Sequence, residues 1–106
     1  MHSSPSWNGP LPRPASGVIY KSLGEGAVLL SLKDEVYYGL NEAGSVIWES
    51  LSGDAPTFDR LCDALGRRYP EASLDEIAGD TANLLHDLMA NHLVALEAPK
   101  DDLGAA

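Results

Sequence analysis

The sequence is poor in cysteine and has no long apolar run. Its single cysteine, Cys62, has no partner for an internal disulfide, which excludes the disulfide-stapled class of small secreted domains. No apolar stretch approaches the roughly 20 residues that span a bilayer. The N-terminus also lacks the charged and then apolar segments of a secretory signal peptide. We therefore expect a cytoplasmic protein that does not cross a membrane.

Positive charge is also scarce. Seven Lys and Arg residues stand against 16 Asp and Glu residues, which gives a formal net charge of −9. A field of this sign repels nucleic acids and anionic membrane surfaces, so we expect neither as a partner. It favours a basic protein or a basic peptide instead.

The length of 106 residues fits one domain. Residues 1–16 contain Pro5, Pro10, Pro12 and Pro14 without a helical or strand period, whereas residues 98–106 are short, acidic and rich in small side chains. Composition of this kind predicts a flexible Pro-rich tail and a flexible C-terminal tail. The expected folded body therefore covers residues 17–97.

Three short segments rich in β-branched and aromatic residues come first in the folded body, namely Gly17–Ser22, Ala27–Leu32 and Glu35–Leu40. Their connections are too short to join parallel strands, so we expect an antiparallel meander with the second strand in the centre. The first and third strands are then edges. An exposed edge can accept an extended peptide as an additional strand, and the third strand combines such an edge with aromatic side chains.

Three helices are predicted after the strands, each with a start signal in the sequence. They are Glu42–Leu51 behind the cap Asn41, the segment from Thr57 to Tyr69 before Pro70, and the segment from Ser73 to Asn91 with Glu76 completing a capping box. His92–Leu96 is expected to add a short extended piece. The order of strands and helices predicts an α+β domain with helices packed on one side of a small sheet.

The third helix carries an apolar arc that is wider than a single core contact requires. Its members are Leu74, Ile77, Ala78, Thr81, Ala82, Leu84, Leu85, Leu88 and Met89. Two explanations remain open at this point. Either one side of the arc is exposed and available to a ligand, or the sheet and another helix cover all of it.

An ordered set of motifs resembles the PqqD family, whose members are also called RiPP recognition elements (RiPP: ribosomally synthesised and post-translationally modified peptide). The set consists of an apolar strand, then Tyr37-Tyr38-Gly39-Leu40-Asn41, then Ile47-Trp48 on a helix. Further matches are Leu65, Tyr69, Asp80, Leu84, Leu85, Leu88, Leu93 and Val94. The resemblance covers roughly residues 18–96, nearly all of the expected folded body.

This resemblance implies a winged-helix-like domain with a three-stranded antiparallel sheet followed by three α-helices. It also implies a non-catalytic adaptor without a cofactor, which binds the leader segment of a ribosomal precursor peptide as an added strand. The chain looks most like the free-standing members of lasso-peptide clusters, since it lacks the Pro-Glu-Gly-like segment of the founding type. Such members imply a transglutaminase-like cysteine leader peptidase as partner and a leader with a Tyr-x-x-Pro element.

The resemblance places the peptide between the third strand and the third helix. The implied peptide-binding residues are Glu35, Val36, Tyr37, Tyr38 and Gly39 from the strand and Asp80, Thr81, Leu84, Leu85, Asp87 and Leu88 from the helix. Asp80 and Asp87 would meet basic residues of the leader. Val36 and Tyr38 share a face opposite Tyr37, and the alternation leaves open which face lines the groove. A leucine at helical spacing is also typical of a core.

Other functions have weaker support in the sequence. A DNA-binding winged helix needs Lys or Arg on its recognition helix, but residues 73–93 contain neither. Cys62 lies at an apolar helical position, where cysteine usually acts as a small hydrophobe rather than a nucleophile. His86 and His92 do not share a helical face, and His2 lies in the tail, so no metal site is expected.

Two alternatives to the leader-peptidase adaptor stay open. One is a PqqD-type chaperone that delivers a precursor peptide to a radical SAM enzyme or another modifying enzyme. The other is a general interaction module, with the chain present as a monomer or as a weak homodimer that pairs through an exposed edge strand.

Overall fold

The chain folds as a small sheet followed by helices, over the residues that the computed structural model describes: Trp7, residues 9–53 and residues 57–96. The elements are β1 (Arg13–Pro14), β2 (Val18–Leu23), β3 (Gly26–Ser31), β4 (Val36–Leu40), α1 (Glu42–Ser52), α2 (Phe58–Arg68), α3 (Leu74–Ala90) and β5 (Val94–Ala95). Within these described ranges, β2, β3 and β4 form a three-stranded antiparallel sheet that precedes three helices. The predicted α+β, winged-helix-like fold class is confirmed.

The sheet is a meander with β3 in the centre. Leu23 pairs with Gly26 across the turn between β2 and β3, where Gly24 has a φ of 64°. Glycine adopts this left-handed conformation without the steric cost of a Cβ atom. The sequence therefore sets both the place of the turn and the register of the two strands.

One face of the sheet builds the core together with the helices. Ala27, Leu29 and Ser31 are the buried residues of β3, and α1 packs against this strand. The buried side chains that the helices contribute are Ile47, Trp48 and Leu51 from α1, Leu61, Cys62 and Leu65 from α2, and Ile77, Ala82, Leu85 and Leu88 from α3. This packing fixes the helices relative to the sheet and thereby positions α3 near β4.

Each helix begins at the cap that the sequence predicts. The Asn41 side chain accepts a hydrogen bond from the Gly44 amide at 2.8 Å, and the Thr57 hydroxyl accepts one from the Arg60 amide at 3.2 Å. At α3 the Ser73 hydroxyl and the Glu76 carboxylate exchange bonds with each other's backbone amides, both at 3.0 Å. These bonds satisfy amides that the first turn of a helix leaves unpaired.

The N-terminal boundary of the folded body lies before residue 17. β1 pairs with β5, the Ala15 amide donates to the Leu93 carbonyl at 2.9 Å, and Leu11 and Pro12 are buried. Within the predicted Pro-rich tail, long-range pairing near β5 therefore holds residues 13–15, although this segment has no periodicity of its own.

Parts of the predicted tails lie outside the described residues, namely residues 1–6, Asn8 and residues 98–106. The predicted break between the first two helices also falls partly outside them, at residues 54–56. Among the described helices, none is long and apolar enough to cross a membrane.

Candidate functional site

β4 is an open edge of the sheet. It pairs with β3 on one side, and no described strand pairs with its other side. An edge of this kind exposes backbone amides and carbonyls that can hydrogen-bond to an added strand. The candidate site is built around this edge.

The ladder pattern indicates which backbone groups of β4 point outward. The Leu32 amide donates to the Gly17 carbonyl at 2.9 Å, so alternate residues of β3 bond to β2 and the remaining ones bond to β4. Leu29 opposes Tyr38 in the register, which directs the backbone groups of Tyr38 toward β3. The alternation then directs the N–H and C=O groups of Tyr37 and Gly39 to the open edge.

The side chains of β4 also alternate between the two faces of the sheet. Tyr38 and Leu40 lie opposite Leu29 and Ala27, which are buried, so they point toward the helices. Tyr37 points to the other face and is 75% exposed. The sequence left open which face of this strand lines the peptide groove. In the structure, the face that turns toward the helices is the one that carries Tyr38.

A cleft of about 520 Å³ opens beside the Leu40 end of β4. Its walls come from the end of β4, the start of α1, the C-terminal end of α2 with the following loop, and the first half of α3. The lining residues are Tyr38, Gly39, Leu40, Asn41, Ala43, Gly44, Ile47, Leu65, Tyr69, Ala72, Ile77, Asp80, Thr81 and Leu84. Because most of these side chains are apolar, the cleft can bury an apolar side chain of a ligand.

α3 runs beside β4 in the opposite direction. Its first half lines the cleft near Leu40, whereas Asp87 lies near Tyr38 and His92 lies 3.8 Å from Asp34 in the turn before β4. We call the open edge of β4, the cleft and the facing side of α3 together the groove. The arrangement matches the shape of an extended peptide, which needs a strand edge for its backbone and pockets for alternate side chains.

One polar contact crosses the groove from β4 to α3. The Tyr38 hydroxyl donates to the Asp87 carboxylate at 3.4 Å. Partial burial, the charge of Asp87 and this hydrogen bond together raise the pKa of Tyr38. The phenol is therefore neutral at physiological pH and can act as a hydrogen-bond donor in the groove.

The structure brings together about half of the predicted peptide-binding residues. Tyr38, Gly39, Asp80, Thr81 and Leu84 line the cleft, and Asp87 contacts Tyr38. Val36 is exposed at the first position of β4. Tyr37 contributes its backbone to the open edge, but its side chain lies on the opposite face of the sheet.

The structure places three predicted peptide-binding residues away from the open edge and the cleft. Leu85 and Leu88 are fully buried and pack in the core, since they lie on the inner side of α3 rather than on the side facing β4. Glu35 precedes β4 and has a φ of 58°. Its amide donates to the Ser31 carbonyl at 2.7 Å, so this donor is not available to an added strand.

Sequence reasoning missed the walls that α1 and α2 supply. These residues include Gly44, which the sequence did not single out, and Ile47, Leu65 and Tyr69, which it singled out only as helical positions and matches to the family pattern. Gly44 carried a signal, because a Cβ atom there would lie 3.2 Å from the Leu40 side chain. A glycine inside a helix often marks such a close approach.

The described residues do not gather a catalytic or metal-binding cluster. Cys62 is buried, and burial raises the pKa of its thiol, which opposes formation of the nucleophilic thiolate. No group of three or more potential metal ligands occurs among the residues that the structure describes. α3 carries no Lys or Arg for nucleic-acid phosphates.

Comparisons with known proteins agree with this geometry. The model of the family described as PqqD, Coenzyme PQQ synthesis protein D, matches residues 26–94. A solved structure described as TbiB1 in complex with the TbiA(beta) leader peptide is similar in fold, with a TM-score of 0.71 and 24% sequence identity. The similarity covers 81% of this chain and 98% of the TbiB1 chain. No curated protein matches the chain.

The family match covers most of the folded body and includes β3 and β4 of the sheet, all three described helices and the groove between β4 and α3. The resemblance inferred from the sequence motifs is confirmed, and the chain belongs to the PqqD family.

Proposed function

We propose that this chain is a non-catalytic adaptor that binds the leader segment of a ribosomal precursor peptide by strand addition to β4. The observation that carries the proposal is the open edge of β4 beside an apolar cleft and the exposed side of α3. Backbone hydrogen bonds at Tyr37 and Gly39 provide affinity without regard to sequence, and the cleft selects side chains. The leader complex of TbiB1 supports this assignment, since that protein has a similar fold.

The adaptor delivers the bound precursor to a partner enzyme. In the proposal this partner is a leader peptidase of the transglutaminase-like cysteine protease type, and the precursor is that of a lasso peptide. Tethering the leader raises the local concentration of the rest of the precursor at the enzyme, so the gain in rate comes from proximity. The proposed cell compartment is the cytoplasm, where ribosomal precursors are made.

A second candidate is delivery to a modifying enzyme, such as a radical SAM enzyme. Membership in a family described by coenzyme PQQ synthesis supports it. Both candidates use the same groove and differ only in the enzyme that receives the peptide. Cleavage of the leader in the presence of this chain supports the first, and modification of the precursor without cleavage supports the second.

The test of the shared step is a titration of the full chain with a synthetic leader peptide of its cognate lasso-peptide precursor. Amide NMR shifts are expected at residues 36–40 of β4 and residues 80–87 of α3, with a single saturable binding curve. Saturable shifts confined to β2 or to the outer face of the sheet would contradict binding in the groove. A folded chain that binds no leader would contradict the adaptor function itself.

A further inference from the structure

The side of α3 that faces β4 carries one apolar residue between two acidic residues. Asp80, Leu84 and Asp87 are spaced four and three residues apart, which places them on one narrow stripe of a helix. Asp80 and Leu84 line the cleft, and Asp87 contacts Tyr38. At a rise of 1.5 Å per residue, the two carboxylates are separated by about 10 Å along the groove. We call these three residues the α3 stripe.

Among the residues that the structure describes, none places a positive charge in the groove to neutralise these carboxylates. The residues that line the cleft include no Lys, Arg or His. Nearby basic groups of the described chain are engaged elsewhere, since Arg68 pairs with Glu42 at 3.1 Å and His92 approaches Asp34 at 3.8 Å. Within the described residues, Asp80 makes no ion pair, and the contact found for the Asp87 carboxylate is the long 3.4 Å bond from the Tyr38 hydroxyl.

An extended peptide on β4 would run along this stripe. Its residues rise about 3.3 Å each, and every second side chain points to the same face. The two carboxylates of the α3 stripe lie about 10 Å apart. In an extended peptide, side chains two residues apart are closer together than this, and side chains four residues apart are farther apart. The flexible Lys and Arg side chains cover the remaining difference.

From this geometry we propose that the groove selects an extended segment with one apolar side chain for the cleft and Lys or Arg on the same face, two or four residues away. The basic groups pair with Asp80 and Asp87, and the one at Asp87 replaces the Tyr38 phenol as its partner. This inference rests on the proposed peptide binding and adds the chemical class of the peptide. Charge complementarity carries it, because the peptide supplies the cations that the groove lacks.

The net charge of −9 attracts basic peptides to the whole surface, so the test must separate local pairing from long-range attraction. The variant pair D80N/D87N removes two carboxylates from the α3 stripe. The matched control D59N/D63N removes two exposed carboxylates from α2, outside the groove. Each pair of substitutions takes the formal net charge from −9 to −7, so any difference between them reports the position of the charges.

The experiment selects peptides from a random dodecapeptide phage library on the immobilised full chain. The parallel selections use D80N/D87N, D59N/D63N and G39P, in which proline removes an outward amide of β4. We expect the unmodified chain and D59N/D63N to enrich an apolar residue with Lys or Arg two or four positions away. D80N/D87N should lose the basic enrichment and bind a selected peptide about 3- to 10-fold more weakly, as expected for two partly exposed charge pairs.

Two failures are distinguishable in this design. If no peptide is enriched on the unmodified chain relative to G39P, the proposed strand addition at β4 is wrong. If peptides depend on the β4 edge but show no basic enrichment, or show the same enrichment on D80N/D87N, the charge selection is wrong and strand addition stands. A charge reversal, D87K, provides a further check, because it should shift the enrichment from Lys and Arg toward Asp and Glu.

Discussion

Two neighbouring leucines of α3 should separate peptide binding from folding. Leu84 lines the cleft and is half-buried, whereas Leu85 is fully buried in the core. We therefore expect Leu84→Ala to weaken leader binding with little effect on stability. Leu85→Ala should destabilise the fold without a direct effect on the groove. The two substitutions remove the same atoms one residue apart, so each is the control of the other.

The expected magnitudes follow from burial. Truncation of a fully buried leucine costs about 3–5 kcal/mol of unfolding free energy because it leaves a cavity. In a domain of this size, that loss lowers the melting temperature by about 12 °C or more. The Leu84 side chain buries less apolar surface in the free protein, so Leu84→Ala should lower the unfolding free energy by only about 1 kcal/mol. If the bound leader peptide covers the rest of the Leu84 side chain, the affinity for the leader should fall about tenfold in Leu84→Ala.

The assay combines thermal unfolding by circular dichroism with calorimetric titration of the leader peptide at a temperature where both variants are folded. The reasoning would be refuted by a melting temperature that falls equally in the two variants, because Leu84 would then be a core residue. Unchanged leader affinity in Leu84→Ala would equally show that the cleft is not the binding site.

Three further predictions concern the edge strand, the N-terminal segment and the buried thiol. Gly39→Pro should leave the fold intact and lower leader affinity about tenfold in a titration, because it removes one hydrogen bond and obstructs the edge of β4. The control Gly39→Ala keeps the amide, and its added Cβ has no atom within 4 Å, so this variant should bind the leader normally. Leu11→Ala should lower the unfolding free energy in urea by about 2–3 kcal/mol, and an unchanged midpoint would contradict the packing of Leu11 in the core. Burial raises the pKa of the Cys62 thiol in the folded state, so the folded protein keeps the thiol proton to higher pH than the unfolded chain does. The resulting stability is fully present below the ordinary thiol pKa and is lost as pH rises through the folded pKa. This loss of unfolding free energy should be smaller in Cys62→Ala, and equal slopes of unfolding free energy against alkaline pH in the two proteins would contradict the expectation.

The order of elements could be predicted from local sequence signals. The caps Asn41, Thr57 and Ser73 act through bonds within a few residues, and the turn at Gly24 depends on its own φ. Such signals place the strands and helices to within about two residues of the observed ends. The β1 strand could not be predicted, because it is stabilised by pairing with β5 at the other end of the chain.

The site was only partly predictable for a related reason. Helical spacing shows that Leu84 and Leu85 both belong to a broad apolar arc, but only the position of β4 decides which of them faces the groove. Strand alternation likewise separates Tyr37 from Tyr38 without stating which face is covered. The walls from α1 and α2 depend on packing between distant segments, which the sequence does not encode at any fixed spacing.

The most direct test of strand addition is amide hydrogen exchange of β4, measured by NMR with and without the leader peptide. In the free chain, Tyr38 and Leu40 should be protected by β3, while Tyr37 and Gly39 should exchange rapidly because their amides point to the open edge. Strand addition predicts that saturating peptide slows exchange specifically at Tyr37 and Gly39. Saturable binding that leaves the exchange of both amides unchanged would contradict it.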